Sequence, residues 1–167
     1  FVGFSVGLTV IPGSYTPYAG MHTDFKVGPT VGVQGAWFAS PYVGVGGRFA
    51  VTNLEMNVNG VPQNDEFECC SVTAGPYFSY PLSTRWRIGS KLLCGYEHYK
   101  PYTTSGYRIE GRGGFTVGTG FSSTYLVNRN LSVRFTADYD VAPPLVSSSC
   151  VAMHKLTLGK IGRASCR

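Results

Sequence analysis

"YVGVGGRFAVT", Tyr42 to Thr52, is the stretch on which the fold turns. Val43, Val45, Gly47, Phe49 and Val51 form one alternating series, and Gly44, Gly46, Arg48, Ala50 and Thr52 form the other. An apolar series set against a small or polar one at period two marks a β-strand with two unlike faces. An apolar face can meet a protein core, a ligand cavity or lipid, and the architecture depends on which.

The same pattern runs along the whole chain. Val2, Phe4, Val6, Leu8 and Val10 stand against Gly3, Ser5, Gly7 and Thr9, and Val31, Val33 and Trp37 against Thr30, Gly32, Gln34 and Ala36. Further segments follow at Ser71–Tyr80, Trp86–Glu97, Phe115–Tyr125 and Leu131–Tyr139, with Leu93 the one apolar residue on a polar side in the Trp86 segment. An eighth opens near Met153, with Leu156 and Leu158 opposite Lys155, Thr157 and Gly159.

The connections alternate too. Residues 39–41, 81–84 and 127–130 are short and built from turn residues, whereas Ile11–Lys26, Asn53–Cys69, Tyr99–Arg112 and Val141–Ala152 are long. Long and short connections in strict alternation predict an up-and-down antiparallel meander, with the long loops at one end and the tight turns at the other. No linker or second domain is visible. No basic, apolar, small-residue leader precedes the strand that opens at Phe1, so a signal peptide is expected either to have been removed or to lie outside this sequence, and export cannot be read directly.

The closing "IGRASCR" fits neither a strand nor a solubilising tail, and it resembles one translated frame of a common sequencing adapter. Residues 161–167 are therefore expected to be an artefact outside the fold, the barrel domain to be residues 1–160, and the last strand to be truncated after Gly159. Without Arg163 and Arg167 the formal net charge falls by two, from +5 to +3. That charge is weak and scattered, with no basic cluster interleaved with aromatics, so nucleic acid is not an expected partner.

Only 14% of the residues are charged, while 22 of the 167 are Gly. A soluble sandwich would carry Lys, Glu and Asp on its outer face. Here the non-apolar face is mostly Gly, Ser, Thr and Ala, a poor exterior but a good filling for a narrow barrel. A soluble lipocalin-like barrel would need an apolar cavity, and Arg48, Arg87, Lys91, Glu97, Arg134 and Asp138 would sit inside it. With the polar face inside, the apolar face of every strand must point into lipid. Trp37, Phe38, Tyr42, Tyr80, Trp86 and Tyr125 flank the tight turns, and Tyr18, Phe25, Tyr96, Tyr99 and Tyr139 flank the long loops, as interfacial girdles would. The predicted fold is an all-β, eight-stranded antiparallel up-and-down transmembrane β-barrel.

Through "PYVGVGGRFAV", "GGFTVGTGFSSTYL" and "LSVRFTADYD" the chain resembles the small outer-membrane β-barrel proteins of Gram-negative bacteria, the OmpA/OmpX type, over residues 1–160. The resemblance implies an outer-membrane protein surrounded by membrane lipid, expected to be monomeric, and its four exposed loops, rich in Tyr and Thr, fit an extracellular carbohydrate, a protein or no ligand at all. It implies no cofactor, metal or catalytic motif. A membrane-embedded lipid-modifying enzyme of this architecture would want a His-x-Ser pair, and at His154 the third residue is Leu156. His22 and His98 have no spaced partner that suggests a base, nucleophile or metal site. The expected role is structural, adhesive or surface-binding rather than enzymatic, with a narrow pore for ions or small solutes as the alternative.

Two polar features stand out. Arg48, Arg87, Lys91, Glu97, Arg134 and Asp138 form the expected charge network of the barrel interior, because buried charges in a narrow barrel must pair. Cys69, Cys70 and Cys150 fall at the long-loop end, where a loop-to-loop disulfide and reduced thiols are both open readings.

Overall fold

The computed structural model describes residues 1–12, 14–18, 21–25, 27–58, 61–100, 102–104, 107–109, 112–128, 131–142 and 153–164. Eight strands make the barrel: β1 (Val2–Val10), β4 (Gly28–Phe38), β5 (Val43–Val58), β6 (Val61–Pro81), β7 (Trp86–Tyr99), β10 (Arg112–Leu126), β11 (Leu131–Ala142) and β12 (Met153–Ala164). Each pairs antiparallel with its neighbour in sequence order, and β1 with β12 closes the ring. Closure leaves the barrel without a bare sheet edge, which a bilayer interior requires.

Alternation decides the two surfaces as the sequence predicts. Val2, Val6, Leu8, Val31, Val45, Val72, Leu92, Val117 and Phe135 are exposed, and Phe4 and Phe121 are 74% and 68% exposed. Thr9, Gln34, Arg48, Thr73, Lys91, Thr124, Arg134 and Asp138, from the opposite series, are buried inside. Inward glycines leave room for the charges: Gly118 and Gly120 on β10 lie across from Asp140 and Asp138, where an added Cβ would run into those carboxylates.

The tight turns are held by local side-chain caps. Ser40 Oγ accepts from the Tyr42 and Val43 amides at 3.3 and 3.1 Å, and Ser83 Oγ from the Arg85 and Trp86 amides at 3.3 and 3.1 Å. Asn128 Oδ1 takes the Leu131 amide at 2.7 Å. A short polar side chain two or three residues before the strand satisfies amides that the ladder leaves over.

Three sequence expectations need correction. The segments expected as loops carry strands: β2 (Ser14–Tyr18) and β3 (Met21–Phe25) form a hairpin, β8 (Tyr102–Thr104) and β9 (Tyr107–Ile109) another, and β5 and β6 run through Asn53–Cys69. Strands clear of the barrel need not bury one face, so the alternation that marks the others is missing. Two girdle aromatics face inward: Tyr99 is buried and Phe38 packs against an interior cluster. Both follow the parity of their own strands, since Glu97 and Ala36 two residues earlier also point in. Finally, β12 does not stop at Gly159. Ile161–Ala164 pair with both β1 and β11, because a backbone ladder accepts any residue with a free amide and both neighbouring edges need a partner.

Candidate functional site: a filled interior and a loop-end projection

The interior is filled in layers that begin at the tight-turn end. There Ala36, Tyr77 and Leu93 form an apolar cluster with Phe1 and Phe38 packed on it. The Phe1 ring lies 6.1 Å from that of Phe38 and 6.2 Å from that of Tyr77. Leu93, the apolar exception on a polar face, has its place in this plug. Arg134 closes over the plug: its Cζ is 4.3 Å from the centroid of the Phe1 ring, and its Nε donates to Thr124 Oγ1 at 2.9 Å.

Above the plug sits the charged layer. Arg48 donates through Nη1 to Asp138 Oδ2 at 2.9 Å and through Nη2 to Asp140 Oδ2 at 2.6 Å. Lys91 Nζ donates to the same Asp138 Oδ2 at 2.8 Å and to Gln34 Oε1 at 3.3 Å. Two cations thus meet two carboxylates with all four side chains buried, a neutral arrangement that offers no uncompensated charge to a passing ion. Of the six residues expected as an interior network, the structure brings Arg48, Lys91 and Asp138 together. Arg87 is half-buried near the tight turn, Arg134 lies four residues below Asp138 on β11, and Glu97 is buried nearer the loops, opposite Ser71 and Gly114 in register. Asp140 and Gln34 are the members that sequence reasoning did not include. Asp140 was legible as the next inward position after Asp138, and Gln34 as the long polar side chain among small inward neighbours.

Next come hydroxyls. Thr9 bonds Thr30 at 2.5 Å and Thr157 at 2.6 Å, and Thr30 bonds Thr52 at 2.8 Å, which ties β12, β1, β4 and β5 together. Ile11, Leu54, Cys69 and Tyr99 are fully buried at the loop end. Among the described residues, a cavity of about 30 Å³ lies beside Arg48, Asp138 and the threonines, and one of about 10 Å³ beside Lys91 and Arg134. The first holds one or two waters and the second less than one.

The outer surface carries its aromatics at the interfaces. At the tight-turn end Tyr42 stacks on Tyr80 at 6.3 Å and Trp86 packs against Tyr125 at 5.0 Å. Tyr96 and Tyr139 are exposed toward the loops. Tyr18 and Phe25 lie in β2 and β3, whose side chains are outside the description. Cys94 is exposed on the apolar face, while Cys69 is buried and Cys70 half-buried. Cys150 lies outside the described residues, as does the disulfide reading that needs it.

Among the described residues, one strand pair continues past the ladders of its neighbours. The ladder between β4 and β5 ends at Thr52 and that between β6 and β7 at Cys69, but β5 and β6 continue to pair with each other up to Val58 and Val61. β3 joins this projection through Thr23, Asp24 and Phe25 against Val58, Asn57 and Met56, and β2 pairs with β3. The strands are 16 and 21 residues long, against the ~9–11 that a tilted strand needs to cross a bilayer. At the base of the projection Lys100 Nζ bonds Glu68 Oε2 at 2.7 Å. Among the described residues, no group of His, Cys, Asp and Glu side chains is arranged to hold a metal ion.

Comparison with solved structures places the fold. The chain is similar to Neisserial surface protein A with a TM-score of 0.67 at 9% sequence identity, covering 99% of this chain and 97% of that one. It is similar to the outer membrane protein OprG from Pseudomonas aeruginosa at 0.65 and 12%, covering 97% and 92%. It is also similar to Ail, the attachment invasion locus protein of Yersinia pestis, at 0.53 and 19%, covering 97% of each chain. No protein-family model and no curated protein sequence matches the chain. A closed ring of eight strands and an outward apolar band give this chain the eight-stranded antiparallel β-barrel fold that these outer-membrane proteins have.

Proposed function

We propose that the protein is a sealed outer-membrane barrel whose working part is the β2–β3–β5–β6 projection, acting as an adhesive or partner-binding surface outside the cell. The observation that carries this reading is the β5–β6 hairpin, which stays paired well beyond the last rung it shares with β4 and β7. A strand pair of that length is not needed to cross a membrane, so its upper half has another use. The filled interior speaks against the alternative of a narrow pore. A single chain, anchored by lipid on every face, suffices for this role.

Ail, one of the structural neighbours, is an attachment invasion protein and has been solved with a heparin analogue, sucrose octasulfate. The charge on the present projection favours the opposite ligand chemistry. Asp24, Glu55, Asp65, Glu66 and Glu68 lie on β3, β5 and β6, in a chain whose formal net charge is +5. An acidic blade repels sulfated glycans and attracts a cationic, lysine- or arginine-rich segment of a protein.

The test is binding of the folded barrel in nanodiscs to a lysine-rich peptide and, separately, to heparin. The peptide is expected to bind, to be released by salt, and to lose affinity when Asp65, Glu66 and Glu68 are replaced by Asn or Gln. Heparin binding that survives those substitutions, with no binding of the peptide, would overturn the proposal.

A further inference from the structure

The apolar exterior is not evenly covered. On the tight-turn half of β6, β7, β10 and β11 it sinks into a groove of about 800 Å³. The cause is a run of small outward residues. Along one hydrogen-bonded row Ser90 sits between Phe78 and Phe121, and along the next row toward the turns Ser123 sits between Ile88 and Phe135. The small side chains form the floor, and the aromatic ones, all well exposed, form the walls.

The position of the groove restricts what can fill it. It lies within the outward apolar band and reaches down to the level of the stacked Tyr42 and Tyr80, so its surroundings are acyl chains and the adjoining interface. A second copy of the barrel is convex and two or more strands wide, so it cannot follow a depression set between single aromatic side chains. A flexible acyl chain can. Below the groove, Arg85 stands exposed in the turn that joins β6 to β7, and it makes no ion pair among the described residues. A guanidinium at that interface complements a phosphate.

We infer that this groove is a binding site for an anionic phospholipid of the leaflet on the tight-turn side, with one acyl chain over Ser90 and Ser123 and the phosphate at Arg85. Such a lipid fills the depression that bulk chains would cover only by bending around it. It also fixes the depth at which β6 and β7 sit.

The inference is tested by native mass spectrometry of the intact chain released from nanodiscs that contain phosphatidylglycerol and phosphatidylethanolamine in equal amounts. One phosphatidylglycerol is expected to stay bound after the bulk lipid is stripped. The Ser90→Leu, Ser123→Leu double variant fills the floor with side chains suited to the lipid face, and it should lower retention of either lipid by about tenfold, or 1.4 kcal/mol. Arg85→Gln lies in an exposed turn and leaves the floor intact. It should keep a lipid bound but abolish the preference for phosphatidylglycerol. Equal retention by the filled variant, random loss of lipid from the unaltered protein, or a dimer that the filled variant dissociates would each overturn the inference. The outcome is independent of what the projection binds.

Discussion

Asp138 accepts from both Arg48 and Lys91 through one oxygen, so its loss leaves two buried cations with a single carboxylate, Asp140, between them. Removing one partner of a buried pair is costly because the remaining charge is left uncompensated in a poorly solvated site. Asp138→Ala is therefore expected to lower the unfolding free energy by about 3–5 kcal/mol in urea titrations of the detergent-folded barrel. Asp138→Asn, which keeps an acceptor oxygen at the same place, should lose less. Arg134→Ala removes a hydrogen bond to Thr124 and the stacking on Phe1 while both carboxylates keep their donors, so its effect should be the smaller of the two Ala substitutions. At this scale the sequence was legible where parity alone decides. Arg48, Lys91 and Asp138 were placed inside by counting in twos from their apolar neighbours, and the same count carried one step further reaches Asp140. Tyr99 and Phe38 were misread because an aromatic residue near a strand end suits both an interfacial belt and a plug. The choice between them depends on parity rather than on residue type.

Among the elements, β12 is where pattern and pairing part. Leu156 and Leu158 pair in register with Val10 and Leu8, which are exposed, as is Leu156. Two residues on, the same register sets Lys160 opposite Val6 on β1 and Phe135 on β11, both exposed, while Ile161 falls opposite Ser5 and the buried Arg134. The alternation is thus inverted just where the sequence was expected to leave the fold, although the backbone ladder runs on through Ala164. A Lys on the lipid face costs roughly 2–4 kcal/mol at the midplane of a bilayer and close to zero at its edge. The double change Lys160→Leu, Ile161→Thr restores the alternation and should raise stability by an amount within that range, read as a higher urea midpoint in folded vesicle samples. An unchanged or lower midpoint would mean that the residues from Lys160 onward suit the strand as they stand. The projection was illegible for a related reason. β2, β3 and the upper parts of β5 and β6 read as polar connections because, clear of the barrel, they need not bury one face, and period two is a signal of unequal faces rather than of strands as such.

At the scale of the whole molecule, the pore and plug readings differ in what three successive barriers do to an ion. The plug of Phe1, Phe38, Tyr77 and Leu93 presents mostly apolar side chains, the two cations and two carboxylates of the charged layer balance one another, and Ile11, Leu54, Cys69 and Tyr99 fill the loop end. An ion entering either apolar layer would lose its water without gaining a ligand. Two cavities beside the charged layer, about 30 and 10 Å³, are on the scale of single waters. Reconstituted in planar bilayers, the protein should show no sustained conductance. Because the barriers act in series, removing one leaves the others in place. Leu54→Ser with Tyr99→Ser should stay silent, and so should Phe38→Ser with Leu93→Ser. Only with both ends opened should brief conductance appear, and Arg48 and Lys91 should then make it favour anions over cations once an Asp138→Asn change unbalances the layer. Stable, ohmic, salt-dependent channels from the unaltered chain would refute the sealed interior and return the protein to the pore reading.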